Sequence, residues 1–429
     1  MNGRRGTVTI REVAMAAPAP QATPSTTPHP PSYPLPRECP YRPSAGTAHL
    51  RDAGPVSTVR LYDGRTAWLV TGAAEARALL ADSRVSNRAD FPNYPVMDER
   101  HLSMRATREM AREEEGGFAA ALFGMDPPEH TRQRQLLLPR FTVRQVAARR
   151  PAIQRIVDEH LDAMEANGSP ADLVSAFATP VPTMVVCTHL GVPYQDRTRF
   201  EPAVAGLFEP DRADAAMAEL TAYLHQLIET KQSEPGDGVI DHLIANHLRP
   251  GAIDRAELVA IASAILVAGT VTTSSAIALG TLALLTAPGQ YTALVDNPDL
   301  VPGAVNEILR YLSLVEQLAR VATEDIEIGG KLIRAGDGII VSFAAGNLDP
   351  NVTTHPDRLD VALPPTNHLA FSHGIHHCIG QNLALLELDI AFRALVSRFP
   401  TLRLAVPAEQ LPTYFAGDVP RLACLPVTW

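Results

Sequence analysis

From Leu258 to Thr286 the chain runs 29 residues without one charged side chain. No other feature limits the possible folds as strongly. A helix of about 20 apolar residues is enough to cross a bilayer. The middle of this run argues against that use. Gly269-Thr270-Val271-Thr272-Thr273-Ser274-Ser275 places six glycine or hydroxyl residues among seven, where a lipid-facing helix is most apolar. The run therefore reads as a long helix through a protein core, and its polar centre needs a reason.

The rest of the chain is organised around it. At about 150 residues per domain, a length of 429 suggests two or three domains. No linker or repeat divides 46–429, so one large, mainly α domain with a small β portion is expected. Ten prolines lie in the first 43 residues, and 1–45 is read as an extended tail outside the fold. Val56 to Thr71 reads as two strands around Asp63-Gly64, a strong hairpin signal. Helical patterns cover 73–82, 128–136, 142–166, 171–190, 213–231, 254–286, 289–297, 301–313 and 380–398. A second strand patch turns at Gly329-Gly330 and continues through Gly338–Phe343.

Charge and cysteine content narrow the function. The 37 basic and 47 acidic residues give a net charge of −10, which argues against nucleic acid or an anionic membrane as partner. The four cysteines, Cys39, Cys187, Cys378 and Cys424, form no CxxC pair, so a reducing cytoplasm is expected. Arg11 and Glu12 interrupt the apolar stretch that a secretory leader needs.

The most informative segment is Phe371-Ser372-His373-Gly374-Ile375-His376-His377-Cys378-Ile379-Gly380, followed by a helical pattern. A zinc site would require a second Cys/His cluster, and none exists. A nucleophilic thiolate is open to a cysteine just before a helix. The glycines suit a backbone that approaches a flat body and turns N–H groups toward a sulfur bonded to a metal. The segment resembles the haem-binding loop of the cytochrome P450 superfamily, FGxGxHxCxG, with Ser372 in place of a glycine. The resemblance implies haem b, held between the long helix and this loop with its helix, with Cys378 as the axial thiolate. It also implies Phe371, Gly374 and Gly380 as residues of the haem cradle.

Four further segments carry the same resemblance. Glu307 and Arg310 lie at i,i+3 on a helix and can pair; they resemble the family's structural ExxR. The family's arginine after Asp360 is absent, since Val361, Ala362 and Leu363 follow, and Arg358 is the nearby substitute. His130 and Arg134 share a helix face and resemble the HxxxR pair that binds haem propionates. Arg320 and His376 match two more propionate positions. Ala268-Gly269-Thr270-Val271-Thr272-Thr273 resembles the family's AGx(D/E)TT, in which the glycine leaves room for dioxygen and Thr272 offers its hydroxyl. Here Val271 replaces the acid and cannot relay protons. The stretches Asp126–Arg134 and His376–Ala384 resemble the soluble bacterial members.

The resemblance implies a monomeric, cytoplasmic oxidoreductase, a haem-thiolate monooxygenase. It would oxidise a small, apolar or aromatic secondary metabolite with O2 and electrons from a ferredoxin and its reductase. No GxGxxG follows a strand, so the electron donor must be a separate protein. Residues 130–150 hold six arginines and no acid, and Arg132, Arg140 and Arg144 are read as docking an acidic ferredoxin. Two alternatives remain open. Oxidative coupling of aromatic rings would fit the loss of the acid at Val271. Nitric oxide reduction would want a basic entrance over Met97–Gly117, but Asp98 to Glu115 holds four arginines and six acids. The pocket is expected between Phe91 and Phe123, within 195–232, at Val315–Leu318 and at a turn near Tyr414-Phe415.

Overall fold

The computed structural model describes residues 30–35, 44, 46–97, 121–206, 212–416 and 419–429. A short helix α1 (Gly46–Asp52) leads into β1 (Val56–Arg60) and β2 (Thr66–Val70), an antiparallel hairpin with Gly64 at φ 83° in its turn. Helix α2 (Ala73–Ala81) and strand β3 (Val85–Ser86) follow. The next described helices are α3 (Glu129–Phe141), α4 (Val143–Ala147) and α5 (Arg150–Asn167). One helix was expected over 142–166. The chain breaks at Ala148-Arg149 because Pro151 has no N–H for a helix interior and suits a first turn.

The helix expected over 171–190 is interrupted in the same way. Strand β4 (Ala171–Asp172) and a wide turn at Val174–Ala178 precede α6 (Pro180–Leu190), which opens on a proline. Next come α7 (Arg197–Gly206), α8 (Ala213–Ser233), α9 (Val239–Leu243) and α10 (Arg255–Thr286). Periodicity reveals neither α7, which carries Pro202 inside, nor α9, which has only five residues.

Helix α10 is the uncharged run. The Asp254 carboxylate caps it, accepting the Glu257 N–H at 2.7 Å. Its 32 residues extend about 48 Å at 1.5 Å per residue. Within its most apolar window 72% of residues are buried by the protein, so it is a core helix. Beyond it lie α11 (Gln290–Asp296), α12 (Val301–Leu312), β5 (Gln317–Ala322), β6 (Ile326–Ile328), β7 (Lys331–Ile333), β8 (Gly338–Ser342), α13 (Phe343–Asn347) and α14 (Gln381–Arg398). Four short strands close the chain: β9 (Arg403–Leu404), β10 (Thr413–Ala416), β11 (Val419–Leu422) and β12 (Pro426–Thr428).

The main sheet has the order β1-β2-β8-β5-β3, with β8 parallel to β2 and antiparallel to β5. Strands β6 and β7 turn at Gly329 and Gly330, whose φ values of 56° and 70° explain the glycine doublet. The C-terminal half of α10 packs with α5, α12 and α14 in one apolar cluster. Its N-terminal half packs with α3, α6 and α8 in another.

The tail expected outside the fold over 1–45 lies partly inside it. The Pro31 carbonyl accepts the Arg60 N–H and the Tyr33 N–H donates to the Arg60 carbonyl, each at 2.8 Å. Residues 31–33 thus run beside β1 in a parallel bridge, an edge position that tolerates proline. Tyr33 is buried in a cluster with Val59, Leu69 and Met97.

Candidate active site: a cysteine loop facing the long helix

A cavity of about 440 Å³ lies between α10 and the loop that precedes α14. From α10 it takes Ile261, Ala264, Ile265, Ala268, Gly269, Thr272, Thr273 and Ala276. Steps of three and four mark one helix face. The polar centre therefore divides by face. Thr272 and Thr273 line the cavity, whereas Val271 lies in the apolar cluster with Val181, Met184 and Val185. A carboxylate at 271 would enter that cluster and would not line the cavity. The Thr272 hydroxyl donates to the Ala268 carbonyl at 2.7 Å, four residues back. Its proton is held by the helix, and its lone pairs remain for the cavity. The hydroxyls of Thr270, Ser274 and Ser275 are buried without a partner among the described residues, and the cavity does not explain them.

Gly269 lines the cavity as expected and also has a second neighbour. A Cβ at Gly269 would meet Val186 Cγ2 at 2.6 Å. The glycine is needed for the close crossing of α10 and α6, whatever room it also leaves on the cavity side.

The cysteine loop closes on itself, since the Cys378 N–H donates to the Phe371 carbonyl at 2.9 Å. Helix α14 starts directly after it, with the Ala384 N–H on the Gly380 carbonyl at 2.9 Å. Gly374 sits at φ 71°, where a Cβ would overlap the Leu80 carbonyl. It seats the loop on α2, a different reason from room beside a flat cofactor. Ser372, in the family's glycine position, adopts φ 62°, a left-handed conformation that costs a side-chain residue about 1–2 kcal/mol.

Cys378 lines the cavity and is exposed there. Removal from bulk water pushes its thiol pKa up. Hydrogen bonds from the Gly380 and Gln381 backbones and the charge of Arg134 only partly oppose this. That direction disfavours a free thiolate nucleophile. A bound metal would deprotonate the sulfur outright. Among the described residues, no three His, Cys, Asp or Glu side chains converge on a metal position.

One edge of the cavity is cationic. Helix α3 supplies His130 and Arg134, β5 supplies Arg320, and the loop supplies His376. Asp126 fixes the start of α3: its carboxylate accepts the Asn87 N–H at 2.9 Å, and its carbonyl accepts the His130 N–H at 3.1 Å. The His130 and His376 rings lie 4.1 Å apart. Among the described residues, both His130 nitrogens and His376 Nε2 are buried without a partner. The buried Arg320 guanidinium has one hydrogen bond among the described residues, to the Ala319 carbonyl at 2.7 Å. Burial, Arg320, His130 and Arg134 lower the His376 pKa to about 3. Among the described residues none of the four has a carboxylate partner, which is costly for the buried cation Arg320. Two propionates of a haem ligated by Cys378 would satisfy it. Phe371, Ala268 and Gly380 line the same cavity, so the residues present fit the group.

The structural pair is present. Arg310 donates twice to Glu307, each bond at 2.7 Å, and both side chains are almost wholly buried. Arg310 also donates to the carbonyls of Asn347, Pro356 and Arg358 at 2.8–3.1 Å. Arg358 contributes only that carbonyl, and its side chain is exposed, so it does not replace the missing arginine.

The arginine run is less bare in space than in sequence. Arg132 pairs with Glu257 at 2.5 Å, Arg140 and Arg149 share Asp237 at 2.8 and 3.1 Å, and Arg150 meets Asp389 at 3.1 Å. All three acids come from elsewhere in the chain, which no local count reveals. Arg144 is exposed.

A titratable cavity residue escaped the sequence reading. Glu387 on α14 is buried, lines the cavity, and has no partner for Oε1; burial pushes its pKa far up. A lone acid within the otherwise apolar Leu383–Leu388 was the available signal. Gln317, at the start of β5, lies within the Val315–Leu318 stretch expected to line the pocket, and it does so. Residues 98–117, read as an entrance segment, lie outside the described residues. So does part of the expected 91–123 wall. Tyr414 and Phe415 are on β10 and do not line the cavity.

A cytochrome P450 family model matches residues 200–413. The chain is 46% identical over 403 residues to pentalenic acid synthase of Streptomyces avermitilis, covering 93% of this chain and 98% of the relative. It is 44% identical over 412 residues to a vitamin D3 dihydroxylase of Streptomyces griseolus, covering 95% and 98%. The crystal structure of cytochrome P450 MoxA from Nonomuraea recticatena superposes with a TM-score of 0.86 at 41% identity, over 93% of this chain and 98% of that one. With its cysteine loop, cationic edge and long helix in this arrangement, the chain belongs to the cytochrome P450 family of haem-thiolate oxidoreductases.

Proposed function

We propose that this enzyme oxidises a small, largely apolar secondary metabolite, with electrons delivered by a ferredoxin. The observation that carries the reading is the cavity itself. A single cysteine and an acid-free cationic edge stand at one end, and an apolar face of α10 runs along it. Haem bound through a cysteine thiolate activates dioxygen, because the thiolate's electron density favours O–O cleavage. His130, Arg134, Arg320 and His376 would hold its propionates. The apolar lining excludes water and selects an apolar ligand. Thr272 places an alcohol oxygen on the wall, and Glu387, kept neutral by burial, holds a proton on the same cavity. These two groups can supply the proton path that Val271 cannot. Relatives named for pentalenic acid synthesis and vitamin D3 dihydroxylation support a small-molecule substrate.

A second reading is oxidative coupling without oxygen insertion. It is favoured by Val271, which leaves the usual acid position apolar and turned into the core. One experiment tests both readings. The reduced, CO-treated protein should show a red-shifted Soret band that vanishes in Cys378→Ala. Product masses from a metabolite panel, with ferredoxin and reductase supplied, then decide. One added oxygen supports oxygenation and loss of two hydrogens supports coupling. A Soret band unchanged in Cys378→Ala sinks both.

For the ferredoxin, the surface around Arg144, with Arg140 and Arg149 near exposed Val143, is the proposed landing site. Neutralising the three arginines should slow reduction about tenfold at low salt with ligand binding unchanged. Unaltered reduction kinetics would remove this docking site.

A further inference from the structure

We propose that the N-terminal segment around Tyr33 sets what the cavity accepts, by fixing the side-chain amide of Gln317 as a hydrogen-bond donor on the cavity wall. The inference rests on the reading of the cavity as a substrate site. It adds to that reading the kind of group the substrate presents there.

The geometry begins at β1. Residues 31–33 are bound to its outer edge by the two backbone hydrogen bonds to Arg60, and the Ser32 hydroxyl accepts from the Arg60 guanidinium at 3.0 Å. This seats the Tyr33 ring in the apolar cluster below the sheet, with Met97 and Ala319. From there the Tyr33 hydroxyl donates to Gln317 Oε1. Gln317 is buried and lines the cavity, as do Met97 and Leu318.

The donation decides which end of the amide faces where. A primary amide has one acceptor oxygen and two N–H donors. With Oε1 engaged by Tyr33, the nitrogen end is turned away. Among the described residues, the one partner of Nε2 is the Met97 sulfur, at 2.9 Å. A thioether is a weak acceptor and can satisfy one of two hydrogens at best. The other N–H is a spare donor on a stretch of wall that is otherwise formed by Met97, Val315 and Leu318. Burying a donor without a partner is unfavourable, and a ligand oxygen placed there relieves it. The substrate class this predicts is an apolar molecule with a carbonyl, ether or hydroxyl oxygen at the end that meets β5. Tyr33 acts through Gln317 and is a positioning residue.

The test compares two azoles on the haem-loaded enzyme by difference spectroscopy. Imidazole reports on the iron alone. Ketoconazole is long and carries ether and acyl oxygens. Tyr33→Phe removes one oxygen and leaves the buried ring. It should weaken ketoconazole about tenfold, the scale of one buried hydrogen bond, with imidazole affinity unchanged. Gln317→Leu should cause a similar loss, and adding Tyr33→Phe to it should cost nothing further. Equal loss for both azoles, or a fall in melting temperature with the azole ratio unchanged, would overturn the proposal. So would additive effects in the double variant. Failure of the cavity reading itself looks different, because imidazole would then give no spectral shift even in the unaltered protein.

Discussion

Two buried glutamates on different helices, alike in burial and unlike in partners, show how this fold uses a carboxylate. Glu307 on α12 and Glu387 on α14 are both almost inaccessible, at 3% and 1% exposure. Glu307 meets Arg310 through two hydrogen bonds and also accepts the Asp360 N–H at 3.2 Å. Through the carbonyls bound to Arg310, that pair ties α12 to the segment 347–360 leading to the cysteine loop. Glu387 has no such partner, and burial pushes it toward the neutral acid. The same side chain is a charged strut in one place and a proton holder in the other. Partners decide which, because an isolated buried charge is far costlier than a paired one.

The largest expected effect breaks the first half of this contrast. Glu307→Ala leaves Arg310 charged, buried and without its acid, and should lower unfolding free energy by about 3–5 kcal/mol in denaturant titrations. A loss below about 1 kcal/mol would mean the backbone carbonyls alone hold Arg310.

A smaller effect sharpens the second half. The Glu387 pKa is raised on folding from an ordinary 4.5. Below that pH both folded and unfolded chains keep the proton. As pH rises, the unfolded chain releases it and the folded chain does not, so this group costs stability progressively up to its folded pKa. Glu387→Gln keeps the shape and removes the titration. The variant should therefore gain on the unaltered protein as pH rises above 4.5. Denaturant midpoints measured across that range check it. A constant difference would show that Glu387 is ionised in the folded protein. If the acid also feeds protons to the reaction, the variant should divert electrons from product to peroxide.

Much of the active site was legible because its residues are close in sequence. The ten-residue loop, the i,i+4 pair His130 and Arg134, the i,i+3 pair Glu307 and Arg310, and the polar centre of α10 are all local patterns. Their chemistry depends on spacing that one helix or loop enforces by itself. The reasons behind single residues were less legible. Gly269 and Gly374 matched a pattern, but what demands them is Val186 on α6 and the Leu80 carbonyl on α2. Helix breaks at Pro151 and Pro180 could have been read from proline chemistry and were overridden by apolar periodicity.

The sequence by itself determined the long core helix, the cysteine loop and the family, since each follows from residues within a turn or a loop of one another. Only the tertiary structure decided which charges are free. It placed Glu257, Asp237 and Asp389 against arginines that look unopposed along the chain, and among the described residues it left Arg320 and His130 without an acid in hydrogen-bond contact. It also carried Tyr33 across 284 residues to Gln317, inside a segment whose prolines suggest no packing. The physical reason is common to all of these. Desolvation and pairing depend on what lies within a few ångströms in space, and for these residues the neighbours come from distant parts of the chain.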